Sequence, residues 1–159
     1  MSILNKKLIR VTNNFAAGVH TVRLTKFSET DGGPTTKANG ETYDAKATIV
    51  FDLQDSAGAQ DKHVFYYAPV PVLDAATGKM VGGMSDQDTA NFVRILNNIK
   101  KQLTGDIATE QDPCELLTKL ATSGAEFKVL VTKQVSEDNT RTYTNYNYDL
   151  DLIRLVATL

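Results

Sequence analysis

The apolar residues of this 159-residue chain change their spacing twice along the sequence. They alternate with polar residues up to about residue 70, recur every three or four positions between residues 85 and 124, and alternate again from residue 125. Alternation is typical of a half-buried β-strand, and the three-and-four spacing is typical of one face of an α-helix. The sequence therefore predicts an all-β domain with a helical insertion.

Five segments have the strand pattern. In the second of them, for example, Ile49, Phe51 and Leu53 fall on one face, because successive side chains of a strand point to opposite sides. Polar stretches that contain glycine or proline separate the segments and mark turns or loops. The predicted strands are residues 18–27, 44–53, 62–70, 125–135 and 140–156.

The helical insertion has recognisable ends. Ser85 can cap a helix of about 17 residues, and Gly105 is suited to end it. Asp112 followed by Pro113 is the start signal of a second, shorter helix, which Gly124 closes.

Three strands, a helical segment and two further strands form the plan of the OB-fold, a five-stranded Greek-key β-barrel, with the helices between strands three and four. A β-sandwich would need about seven strands. We expect the barrel to occupy residues 18–159. Residues 1–17, in which apolar side chains are interspersed with Lys6, Lys7 and Arg10, are expected to form an N-terminal arm or a docking strand.

Composition and charge narrow the range of functions. A hydrophobic fraction of 42% with 23% charged residues is typical of a globular domain. The net charge of −2 means that any nucleic-acid site must be a local basic patch. The single cysteine, Cys114, excludes an internal disulfide and a cysteine-rich zinc site. The sequence shows no signal peptide and no apolar run that would span a membrane, so we expect a cytoplasmic protein, located in the host cytoplasm if it is viral.

Signals for catalysis, metals and cofactors are weak. His20 and His63 fall on predicted strands and have no partner at the spacing of a metal site or a general base. Gly78 and Lys79 are followed by Met80, which does not fit a phosphate-binding loop. The sequence therefore predicts neither an enzyme nor a metal or cofactor site.

The end of the chain carries a pattern shared with a known family. Gly124, Phe127, Val129 and Val131 form a G-x-x-F-x-V-x-V strand, and T-Y-x-N-Y follows at residues 142–146. Together with GVHTVRLTKF at residues 18–27, this resembles bacteriophage single-stranded DNA-binding proteins. The resemblance covers about residues 18–150. It implies an OB-fold that binds single-stranded DNA without sequence specificity during phage replication or recombination, with RNA as a further candidate ligand and a homo-oligomeric state.

OB-folds bind oligonucleotides on the face of strands two and three, between the loop after strand one and the loop between strands four and five. Cationic side chains follow the phosphates there, and aromatic rings stack on bases. Strand three is undecided, because either Phe65 and Tyr67 or Val64 and Tyr66 face outward. The candidate nucleic-acid-binding residues are Arg23, Phe27, Lys46, Phe65, Tyr67, Lys128, Lys133, Arg141, Tyr143 and Tyr146.

The last strand contains three tyrosines that cannot share one role. Tyr146 and Tyr148 lie on one side of the strand and Tyr143 lies on the other. If the first two fill the barrel, Tyr143 lies outside it, beside Arg141; the reverse assignment is also open. An alternative function is that of a viral structural or assembly protein that associates with itself through a similar barrel.

Overall fold

The structure is a computed structural model that describes residues 15–158, and within this range the side chains of residues 33–35 and 43–45 are not described. The strands are β1 (Gly18–Thr30), β2 (Gly33–Thr36), β3 (Thr42–Ala45), β4 (Ala47–Asp55), β5 (Gln60–Tyr67), β6 (Val70–Leu73), β7 (Met80–Gly83), β8 (Glu126–Val135) and β9 (Thr142–Asn147). The helices are α1 (Asp86–Lys100), α2 (Asp106–Thr109), α3 (Pro113–Ser123) and α4 (Leu150–Ala157).

Five of the strands form one sheet in the order β5–β4–β1–β8–β9. Every neighbouring pair in it is antiparallel. The helices α1 to α3 lie in the chain between β5 and β8, which are the third and fourth strands of this sheet when its strands are counted along the sequence. The predicted all-β domain with a helical insertion is therefore confirmed at this level.

The core lies between the sheet and the helices. One face of α1 contributes Phe92, Leu96 and Ile99, and α3 contributes three buried leucines. Burying each such side chain stabilises the fold by about 1.5–3 kcal/mol. The strand residues that complete this core alternate along the sheet: Val22, Leu24, Ile49, Phe51, Leu53, Phe127, Val129 and Val131.

Both predicted helix starts are capped as expected. Ser85 Oγ accepts a hydrogen bond from the Asp88 amide at 3.1 Å, and Asp112 Oδ1 accepts from the Cys114 amide at 2.9 Å. Each bond satisfies a backbone N–H that has no partner within the helix. Helix α1 ends at Lys100 rather than at Gly105, which instead precedes α2.

Three segments differ from the sequence prediction. The polar loop at residues 28–41 contains the end of β1 and the first strand of the β2–β3 hairpin, and residues 73–84 contain most of the β6–β7 hairpin. The last strand does not continue to residue 156, because Asp149 Oδ1 accepts from the Asp151 amide at 3.0 Å and starts α4. Ile153 of this helix is buried.

Strand β1 contains an irregularity that changes its alternation. Leu24 pairs with Leu53, and Lys26 pairs with the adjacent Asp52, so that one extra residue is inserted between them. A β-bulge of this kind shifts all later side chains to the opposite face. The prediction that Phe27 shares a face with Arg23 is therefore wrong: Phe27 packs against the core.

The two edge strands of the sheet, β5 and β9, meet through side chains. The His63 ring stacks on the Tyr146 ring with 4.6 Å between centroids. Tyr146 Oη donates to the Lys62 carbonyl oxygen at 3.3 Å. His63 Nδ1 and Tyr148 Oη form a hydrogen bond of 2.7 Å. We call this contact, made by His63, Tyr146 and Tyr148, the seam.

The N-terminal part of the chain is described from Phe15 onward. Phe15 is buried and its ring stacks on His20 with centroids 4.9 Å apart. The rest of the predicted arm, which includes Lys6, Lys7 and Arg10, lies outside the described residues. Among the helices of residues 15–158, none combines the length and the apolar character needed to cross a lipid bilayer.

Candidate nucleic-acid interface

The side of the sheet that points away from the core is largely polar across three strands. In β4 the outward residues are Thr48, Val50 and Asp52, which alternate with buried ones. The pairing registers place three rows across β5, β4 and β1. We call this surface the outer face; its rows are Tyr66–Thr48–Thr30, Val64–Val50–Ser28 and Lys62–Asp52–Lys26.

Tyr66 is the dominant feature of the outer face. Its side chain is 61% exposed, and its neighbour across the strands is the small Thr48. Thr48 and Thr30 are joined by a hydrogen bond between their hydroxyl groups, so they form a low polar floor beside the ring. More than half of the Tyr66 surface therefore faces solvent beside these two small side chains.

Cationic side chains lie at both ends of the outer face. Lys62 is 69% exposed and makes an ion pair of 3.0 Å with Asp52. Arg23 donates to Gln54 Oε1 at 2.5 Å. Lys46 is exposed two residues before Thr48, at the end of β4 that is nearer to Tyr66. These charges can follow a phosphate backbone that crosses the strands.

Two residues of β5 that were predicted to bind nucleic acid have their side chains on the core side of the sheet. Phe65 and Tyr67 pack against the core, and the Phe65 ring lies 5.4 Å from that of Phe92 in α1. Their assignment to an outward face is wrong, because Lys62, Val64 and Tyr66 take the outward positions of β5. Tyr66, the exposed aromatic residue of the outer face, is therefore absent from the predicted set.

A sequence signal could have decided which side of β5 faces outward. Lys62 and Asp52 have opposite charges and lie on strands predicted to be neighbours in a hairpin. A charge pair across strands belongs on the solvent side. If the Lys62 side chain faces outward, those of Val64 and Tyr66 face outward as well, since residues two apart in a strand share a face.

The end of the β8–β9 hairpin, beyond Val131 where β8 no longer pairs with β1, carries three predicted residues. Tyr143 is 49% exposed and pairs with Gln134. Lys133 Nζ donates to Thr144 Oγ1 at 2.9 Å, which places Lys133 on the opposite side of the hairpin from Tyr143. Arg141 is exposed at the turn.

The tip of this hairpin also carries negative charge. The hydroxyl groups of Ser136 and Thr140 donate to Asp138 Oδ1 at 2.6 and 2.7 Å. These hydrogen bonds lower the pKa of Asp138 to about 2. The carboxylate therefore remains ionised in the same turn as Arg141 and reduces the attraction of the tip for phosphate.

A cleft of about 430 Å³ lies beside the seam. Lys62, Val64 and Tyr66 of β5 form one wall, and Thr144 and Asn145 of β9 lie on the other. The cleft opens next to the exposed Tyr66 ring, so the outer face and the β8–β9 hairpin form one continuous surface.

The side chains of the seam are uncharged, and their rings pack against one another. Burial lowers the pKa of His63 to about 4, against the opposing effect of the Asp61 charge. Burial also raises the pKa of Tyr146, and the nearby Asp61 carboxylate adds to this effect. The predicted site residue Tyr146 has one ring face on His63, so it contributes an edge to the cleft rather than an open stacking surface.

Lys128 lies apart from the other predicted residues. It is exposed on β8 as expected, but along the sheet β1 and β4 lie between β8 and β5. Gln102 holds the Lys128 backbone through bonds of 2.7 and 2.9 Å. A separate cleft of about 420 Å³ there includes Ile153 and Arg154 of α4.

The described residues of the outer face include one exposed aromatic ring and several cationic side chains. Within residues 15–158, no group of three or more histidine, cysteine, aspartate or glutamate side chains could hold a metal ion. Comparison of the sequence with models of known protein families gave no match, and a search among curated proteins gave none either.

Proposed function

We propose that the five-stranded sheet is the Greek-key barrel of an OB-fold and that the protein binds single-stranded DNA on the outer face. The strand order β5–β4–β1–β8–β9 is that of an OB barrel opened between its third and fifth strands. The seam joins those two strands through His63 and two tyrosines. The helices inserted before β8 fit the same plan.

The single observation that carries the proposal is the exposed Tyr66 ring on an outer face of otherwise small or polar side chains. Stacking of a base on an aromatic ring contributes about 1–3 kcal/mol and does not depend on which base is bound. Such a site binds without sequence specificity. RNA is a further candidate, because stacking and phosphate neutralisation are common to both single strands.

The cationic residues of the outer face supply the second part of the affinity. Arg23, Lys46 and Lys62 can neutralise phosphates, while Asp52 offsets part of the charge of Lys62. Each phosphate neutralised on a single strand lowers the salt slope, d log K/d log[salt], by about 0.7. We expect few contacts and therefore a shallow slope. A role in replication or recombination of phage DNA follows from the family resemblance.

The experiment is a titration of labelled oligo-dT at low salt with the wild type, Tyr66→Ala and Tyr66→Phe. Loss of the ring should weaken binding about 5- to 150-fold, the equivalent of 1–3 kcal/mol, while Tyr66→Phe should retain most of the affinity. Leu155→Ala, at an exposed side chain of α4 that is not part of the outer face, is the control and should bind normally. Equal affinity of Tyr66→Ala and the wild type would reject this site.

A second candidate function is self-association as a viral structural protein. It is favoured by the β6–β7 hairpin, on which Val72, Leu73, Met80 and Val81 are exposed. A two-stranded hairpin is marginally stable by itself in water, so a contact with another copy would stabilise it. Sedimentation of Leu73→Asp with Met80→Asp tests this: a smaller particle than the wild type supports it, and an unchanged particle rejects it.

A further inference from the structure

Helix α1 borders a second surface on the side away from the core. Phe92 of this helix packs on Phe51 and Phe65, with centroids 6.1 and 5.4 Å away. The opposite side of α1 borders a groove of about 610 Å³ that reaches Ala108 of α2. Because Phe92 contacts the inward sides of β4 and β5, this groove and the outer face lie on different sides of the molecule.

The groove is positively charged. Arg94, Lys100 and Lys101 line it, and none of the described residues that line it is acidic. No ion pair within residues 15–158 involves these three cations. The hydrogen bond from Arg94 to Asn91 Oδ1 is long, at 3.5 Å. On a chain with a net charge of −2, these three cations are a local concentration of positive charge.

The middle of the groove is apolar. Val93 is 39% exposed although it lies in the centre of a helix that buries Phe92, Leu96 and Ile99. Ala90 and Ala108 flank it and leave room above it. Within the described part of the chain no aromatic ring lines the groove, and a stacking surface is what a single-stranded nucleic acid uses.

We propose that this groove docks an acidic peptide segment of a partner protein. Carboxylates would pair with Arg94 and with Lys100 or Lys101, and one apolar side chain would rest on Val93. Arg94 and Lys101 are seven residues apart, which is about 10 Å along a helix and matches about three residues of an extended peptide. Charge complementarity of this kind selects the partner and accelerates association.

The probe is a fluorescein-labelled peptide of sequence EEFEELEE, titrated against the full chain by anisotropy. Two matched peptides, QQFQQLQQ and EESEESEE, remove either the charge or the apolar side chains. The acidic apolar peptide should bind at least about tenfold more tightly than either. Absence of binding at hundreds of micromolar protein, or equal binding of the glutamine peptide, would overturn the proposal.

Substitutions in α1 test whether the peptide binds in the groove. Arg94→Glu with Lys101→Glu should reduce peptide affinity at least about tenfold, and Val93→Asp should do the same without altering the buried side of α1. Lys79→Glu makes a single lysine-to-glutamate change at an exposed residue that does not line the groove, and it should have little effect. Thermal melts confirm that each variant folds. If the α1 variants lose oligo-dT affinity instead of peptide affinity, the groove belongs to a nucleic-acid site and the proposal fails.

Discussion

The seam and the outer face both carry tyrosines, yet the two regions use them in opposite ways. At the seam, Tyr148 is 1% exposed and bonded to His63. On the outer face, Tyr66 is 61% exposed and lies against a floor of threonines. The difference shows that the position of a tyrosine decides its role: those between the sheet edges pack into the fold, and Tyr66 on the sheet surface leaves most of its side chain exposed.

The strongest test of this division is truncation of each tyrosine. Tyr148→Ala should lower the free energy of unfolding by about 3–5 kcal/mol, because it empties a buried aromatic site and leaves His63 without its partner. Tyr66→Ala should change it by less than about 0.5 kcal/mol, as for most exposed side chains. Urea denaturation measures both. Similar losses for the two variants would remove the distinction between the regions.

The seam should also make stability depend on pH. The pKa of His63 is about 4 in the folded protein, against 6.5 for an ordinary histidine. Because the folded pKa is depressed, protonation favours the unfolded chain: the stabilisation is complete above pH 6.5 and is lost as the pH falls toward 4. A tenfold change in proton affinity corresponds to about 1.4 kcal/mol, so the loss in the free energy of unfolding reaches a few kcal/mol.

The control for this pH dependence is His63→Gln, which keeps a polar side chain but does not titrate. Carboxylates change protonation in the same range, so the informative quantity is the difference between wild type and variant. Between pH 6.5 and 4, the wild type should release up to about one more proton on folding than the variant. Parallel stability curves from pH 7 to 4 would show that His63 is not held neutral at the seam.

The smallest expected effect concerns Tyr143, which lies at the end of the β8–β9 hairpin where β8 no longer pairs with β1. It is 49% exposed, and its turn carries the ionised Asp138. Tyr143→Ala should weaken oligo-dT binding by about 0.5–1 kcal/mol, below the range for a full stacking contact, without a marked change in the melting temperature. A large fall in melting temperature would place Tyr143 with the seam residues instead.

The broad fold could be predicted because the spacing of hydrophobic residues along the sequence differs between strands and helices. The periods of two and of three to four residues indicated the order of the main strands and helices, and the caps at Ser85 and Asp112 indicated two helix starts. The bulge before Lys26 left no such trace, because the extra residue has an ordinary side chain. Helix α4 was missed because the alternating tyrosines extend the strand pattern up to its cap at Asp149.

The site was harder to predict than the fold, since it depends on which side of a strand faces out. Residues 64–67 are apolar or aromatic at every position, so there is no alternation to show which side of this strand faces outward. Phe65 and Tyr67 were assigned to the wrong side for this reason, and Phe27 because of the bulge. Lys128 lies on the expected side of its strand, but only the sheet order shows that β8 does not pair with β5, the strand of Tyr66.

The most direct test of a single strand on the outer face is photocrosslinking with an oligonucleotide that carries 5-iodouracil, followed by mass spectrometry of the digested protein. We predict that the main adduct is on Tyr66 and that excess unlabelled oligo-dT suppresses it. An adduct confined to α1 or to the surface of β8 and α4, or no adduct at saturating oligonucleotide, would contradict the account.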